Sequence, residues 1–278
     1  MMRPAHSRAD SACRLVIAAI VLIPPIACGR EPAGATGSRP VTAGKDGGPD
    51  VANAASDDAR PDQPASRSER TVEGFRLLVD DRLLPGGEQA DVGAEALEFL
   101  RAKLADIRIV MPADRLAQLR DVTIVVDHSC GDLASMQYHP SADWLADHGY
   151  SRSLARCVHL PRAAQLATVR NVAEQPWVIL HELAHAYHDQ VLGFDEPRIV
   201  AAWEAFKSSG TGDDALLFDG SRTRHYGLTN QKEFFAEMTE AYFGSNDFAP
   251  FNRAELRTGF PDLHALLEEI WGRTRERP

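Results

Sequence analysis

The chain has 278 residues, a formal net charge of −10, 44% hydrophobic residues and 25% charged ones. That is the composition of a folded protein with a real core, and the length admits one or two domains. Basic residues form no stripe, which argues against nucleic acid as a partner.

Arg3, Arg8 and Arg14 flank an apolar run from Leu15 to Ile23 that leads into Pro24-Pro25-Ile26-Ala27-Cys28. The run is shorter than the ~20 residues that span a bilayer. It fits a secretory signal peptide over residues 1–27. Cys28 after the small Ala27 resembles a bacterial lipobox, in which the cysteine is lipidated, although Pro25 stands where that motif usually has Leu. An ordinary cleaved signal is the other reading. Residues 28–70 are rich in Gly, Pro, Ala, Ser and Asp. They cannot bury enough apolar surface to offset chain entropy and read as a disordered tether. The expectation is an exported protein, either a lipoprotein anchored to the membrane by lipid alone or one free in the periplasm or outside the cell. Cys130 and Cys157 then form an even pair in an oxidising compartment, so a disulfide is expected.

The compact domain is expected over 71–278. Residues 75–79 and the β-branched run 122–126 read as strands, and 94–107 as a helix with Leu97, Leu100 and Leu104 on one face. Segment 132–150 reads as irregular, and 156–160 as a short strand. Pro176 and Pro197 each open a helix, the first running to Gly193 and the second to Ser208. Residues 209–220 read as a loop. Asn230 caps a helix that Gly244 ends, and 262–271 forms the last one. Early strands and late helices predict an α+β domain.

The helix over 176–193 is apolar nearly all round, which marks it as buried. Yet its middle reads His181-Glu182-Leu183-Ala184-His185. Buried polar groups cost several kcal/mol unless satisfied, and a metal ion satisfies two imidazoles at once. Residues i and i+4 share one face about 5–6 Å apart, so both rings can converge on one zinc. Glu182 projects to the side and suits a general base. His188 and Val191 break the extended metzincin pattern, and His188 is expected at the helix end or surface. In the helix capped by Asn230, Glu233, Glu237 and Glu240 share a face. Read alone they are a solvated acidic stripe, with Glu233 the capping partner of Asn230.

The run Tyr226-Gly227-Leu228-Thr229-Asn230-Gln231-Lys232-Glu233-Phe234-Phe235-Ala236-Glu237 closely resembles the catalytic region of anthrax lethal factor and related zincins. The resemblance covers mainly 176–193 and 225–244. It implies a zincin-like metallopeptidase domain with a small sheet. Within it, Glu233 is the third zinc ligand, Tyr226 the phenol beside the reacting oxygen, and Glu237 the acceptor behind a ligand histidine. The function then expected is peptide-bond hydrolysis of a peptide or protein substrate by metal-activated water, with Glu182 as base and 156–160 as the candidate edge strand that holds substrate, plain structural sheet being the other reading of that segment. The alternative is a non-catalytic, zinc-containing surface lipoprotein that binds a partner. Nothing in the chain is His-rich, as a zinc-storage protein would be.

Overall fold

The computed structural model describes residues 63–273. The expected signal segment 1–27, Cys28 and the tether as far as residue 62 lie outside the described residues. The domain is α+β, built on a mixed five-stranded sheet with strand order β1-β2-β3-β5-β4. Strands β1 (Arg67–Val72) and β2 (Phe75–Asp80) form an antiparallel hairpin. Its two-residue turn, Glu73-Gly74, has φ of 50° and 85°, as the tightest hairpin turns require. Because β1 begins at Arg67, the ordered domain starts before the expected boundary at residue 71. The strand is edge-placed and largely exposed, so its polar composition resembles a linker.

The chain then crosses over through α1 (Ala90–Val110) and α2 (Ala113–Arg120) to β3 (Ile124–Val126), which is parallel to β2. Of the three leucines read on one face of α1, Leu100 and Leu104 are fully buried and Leu97 is partly buried against the same core. β5 (Val158–Leu160) pairs parallel to β3 on one side and antiparallel to β4 (Gln137–Tyr138) on the other. β5 is therefore interior, and the expectation that 156–160 is the edge strand is wrong. The edge is β4, which lies with α3 (Ala142–Asp147) in the segment expected to be irregular.

The second half is mostly helical: α4 (Val178–Tyr187), α5 (Pro197–Ser208), α6 (Gln231–Phe243), α7 (Arg253–Gly259) and α8 (Pro261–Trp271). A small hairpin of β6 (Ala215–Leu216) and β7 (Arg222–Thr223) interrupts the helices, with β6 inside the stretch expected to be loop. A π-helical turn, His188–Leu192, prolongs α4 to Gly193, whose φ of 85° ends it. α4 lies between the β4–β5 edge of the sheet and α6.

Two contacts lock the α4–α6 pair. Trp271, fully buried at the end of α8, packs tilted against Tyr187 of α4 at 4.3 Å and stacks on Phe235 of α6 at 5.7 Å, ring centroid to ring centroid. Its indole N–H donates to Thr239 Oγ1 at 3.0 Å. At the other end Trp177 presses on Gly244, where a Cβ would sit 1.9 Å from the indole; only glycine permits that approach.

Cys130 and Cys157 are buried free thiols, not the expected disulfide. Both belong to one satellite apolar cluster with Leu145, Tyr150 and Leu154. Their sulfurs are engaged in different directions. Cys157 donates to the Ser153 and Ala155 carbonyls at 3.6 Å, while the Cys130 sulfur lies beside Asp127 and His159. Among the described residues no helix is long and apolar enough to cross a membrane.

Candidate metal centre

α4 and α6 bring together three of the residues singled out in the sequence. Glu233 Oε2 lies 3.3 Å from His181 Nε2 and 3.2 Å from His185 Nε2. The two rings stand edge to face, 4.8 Å apart. This grouping could hold a metal ion. Asn230 caps α6 as expected, accepting from the Lys232 and Glu233 amides at 2.9 and 3.0 Å. The Glu233 side chain faces the histidines. Burial by itself pushes the Glu233 carboxyl up, but the charge of His185 and bonds to both rings outweigh it and hold the group well below the usual range.

Glu182 is buried beside this convergence, and burial raises its pKa despite the opposing pull of His185 and His181. Its Oε2 accepts from the backbone N–H of Tyr138, in the edge strand, at 2.9 Å. Tyr226 opens a short 3-10 turn, Tyr226–Leu228, and is 44% exposed, so its face of the site is open to solvent. Partial burial and the nearby Glu233 push its phenol up to about 12. It stays a proton donor across the physiological range.

The residue behind His181 differs from expectation. Its Nδ1 bonds to Glu240 Oε1 at 2.7 Å, whereas Glu237 stands 3.9 Å away, beyond hydrogen-bonding reach. The acceptor is one turn further along α6 than expected. Neither carboxylate forms a solvated stripe: Glu237 is 3% exposed and Glu240 5%. Burial lowers His181, but Glu233 and Glu240 overcome it and raise the ring well above its ordinary value. Burial likewise raises Glu237, reinforced by Asp247 and Glu240.

His188 is fully buried, not at the surface, and packs against Phe194 and Phe235. Burial depresses it to about 3. It takes no part in the metal grouping. His225, which the motif reading passed over, is also fully buried and stacks on Phe248. Its Nδ1 accepts from the Gly227 amide at 2.9 Å and so shapes the turn that carries Tyr226.

A second polar system crosses the sheet beneath the site. Arg67 grips both oxygens of Asp127 at 2.7 Å, and Asp127 Oδ2 lies 2.8 Å from His159 Nε2. His159 Nδ1 in turn bonds to His139 Nε2 at 3.1 Å. Asp127, Cys130 and His159 also lie close enough to share a metal ion. Here, though, both carboxylate oxygens and both ring nitrogens are taken by protein partners, so the group is satisfied as a network within the core.

Comparison of the chain with protein-family models, with curated proteins and with solved structures returned no match.

Proposed function

We propose that this chain is a zinc peptidase of the zincin type that hydrolyses peptide bonds. The observation that carries the reading is the convergence of His181, His185 and Glu233 on one point. A tetrahedron with arms of about 2.0–2.1 Å has edges of about 3.3–3.4 Å. The two Glu233–histidine separations, 3.3 and 3.2 Å, match that edge. Two imidazoles and a carboxylate are the donor set of many catalytic zinc sites, with a fourth position open. The lethal-factor-like run over 226–237 supports the same assignment.

Bound there, zinc would polarise the scissile carbonyl and lower the pKa of a water toward about 7. The protein's own groups do the rest. Glu182 takes the proton of the attacking water and returns it to the departing amine. The Tyr226 phenol donates to the oxygen of the tetrahedral intermediate. Glu240 fixes the ring of His181 through Nδ1, which leaves Nε2 for the metal. β4, the sheet edge beside α4, gives its outward Tyr138 N–H to Glu182 and so holds the base against the sheet.

The test joins metal analysis to peptide-library cleavage by the purified chain. Wild type and Glu182→Gln should both carry stoichiometric zinc, and only wild type should cleave, with loss of cleavage in chelator. Zinc-loaded wild type that cleaves nothing, or a Glu182→Gln variant as active as wild type, refutes the reading.

A further inference from the structure

We propose that Tyr138 is a positioning residue for Glu182, with its phenol latched to Asp189 and Gln190 so that its backbone N–H holds the base. The catalytic consequence rests on the peptidase reading; the latch itself rests on geometry alone.

β4 is only two residues long, paired through Gln137 with His159 and through Tyr138 with Val158. The Tyr138 N–H turns away from β5 and donates to Glu182 Oε2 at 2.9 Å. The buried side chain of the same residue runs along the helix in the other direction. Its hydroxyl donates to Asp189 Oδ2 at 2.6 Å and accepts from Gln190 Nε2 at 3.1 Å. Gln190 Nε2 also donates to the Arg156 carbonyl at 3.0 Å, just before β5. Adjacent helical residues normally diverge by about 100°. Asp189 and Gln190 nevertheless both reach one phenol oxygen, and both lie in the π-helical turn that follows α4.

Tyr138 is thus pinned to the metal-bearing helix at two places, Glu182 and the turn at Asp189. One carboxylate oxygen of Glu182 is committed to the edge strand, and the other is left for the proton in flight. The backbone bonds beside this amide, from the His139 N–H to the Cys157 carbonyl at 3.1 Å and from the Arg156 N–H to the His139 carbonyl at 2.6 Å, hold the strand on its sheet side, and the phenol latch holds it on the helix side, where the amide points. Misplacing a reacting group by about 1 Å can cost about 100-fold in rate.

The experiment uses the zinc-loaded full chain with two readouts. The first is amide hydrogen exchange at residue 138 by NMR. It should accelerate about 10-fold or more in Glu182→Ala, Tyr138→Phe and Asp189→Ala, while Val158 and Leu160 in the sheet keep their protection. Asp189→Asn retains an acceptor and should stay near wild type. The second is steady-state kinetics. Tyr138→Phe and Asp189→Ala should each lower kcat about 10-fold or more at unchanged KM and zinc content, and the double variant should be no worse than either single one. Unaltered exchange at residue 138 in Glu182→Ala overturns the proposal, as does an unaltered kcat in Tyr138→Phe when wild type cleaves. A wild-type protein that shows the exchange pattern but cleaves nothing upholds the latch and refutes the peptidase reading instead.

Discussion

His181 offers Nε2 to the metal position and Nδ1 to Glu240, 2.7 Å away, so changing Glu240 acts on the metal through the ring. Glu240→Gln keeps an acceptor and removes the charge. Hydrogen bonds to charged groups contribute about 1.5–3 kcal/mol and neutral ones about 0.5–1.5. The difference, about 1–1.5 kcal/mol, corresponds to roughly tenfold weaker zinc binding. Glu240→Ala also frees the ring to rotate and should reach the upper part of the 10–100-fold range typical of such partners. Glu237 supplies the control. It lies on the same helix, is equally buried, and stands 3.9 Å from Nδ1. Damage from disturbing the α4–α6 interface would therefore be similar for both, and only the hydrogen bond separates them. Glu237→Gln should leave zinc affinity within about twofold of wild type. Competition with a chromogenic chelator measures each constant. Equal losses in the two Gln variants, or a larger loss at Glu237, would refute the assignment of Glu240 as the partner.

Two further predictions concern stability. His225 is fully buried and burial holds it neutral down to about 4, against an ordinary value of 6.5. Below pH 6.5 the unfolded chain takes up a proton that the folded chain refuses. Its contribution is therefore complete above pH 6.5 and is lost as pH falls to about 4, by about 3 kcal/mol at 1.36 kcal/mol per pH unit. Denaturant unfolding between pH 7.5 and 4 should show that loss in wild type and not in His225→Asn; parallel curves would dismiss it. At the other contact, Gly244→Ala should destabilise by about 1–3 kcal/mol through overpacking, because its Cβ meets the Trp177 indole. Trp177→Ala should relieve most of that cost in the double variant, and strictly additive losses would show that the clash is not the cause.

The parts of the site that were legible in the sequence are those fixed by local spacing. His181 and His185 fall one turn apart in a helix whose apolar surroundings demand a partner for them. Asn230 and Gly244 mark the limits of α6 by their capping chemistry. Glu233 needed the family run as well, since three glutamates share its face. Which of Glu237 and Glu240 meets His181 depends on how α6 crosses α4, and no periodicity carries a crossing angle. The buried run 158–160 reads the same whether its strand is interior or at the edge, so strand order could not be drawn from it. The two cysteines share a cluster, but the redox compartment says nothing about where each sulfur points. His188 is buried against Phe194 and Phe235, where the helix passes into a π turn, and nothing in the spacing announces those contacts.

Edge strand β4 was the least legible element and the one whose amide meets Glu182, and both facts have one physical cause. A two-residue strand carries no alternation to detect and forms few ladder bonds, each with a net value of about 1 kcal/mol. Backbone bonds of His139 to Arg156 and Cys157 extend its pairing with the β5 side, and side chains add to them. On the helix side the Tyr138 phenol is tied to Asp189 and Gln190. On the sheet side the next residue, His139, joins the chain through His159 and Asp127 to Arg67 in β1. The strand is thus suspended between two polar networks that come from distant parts of the sequence. The position of the amide facing Glu182 is set by those networks together with the packing of the Tyr138 ring in the main core. Small polar changes at Asp189 or Arg67 are therefore connected through bonded side chains to the strand whose amide meets Glu182.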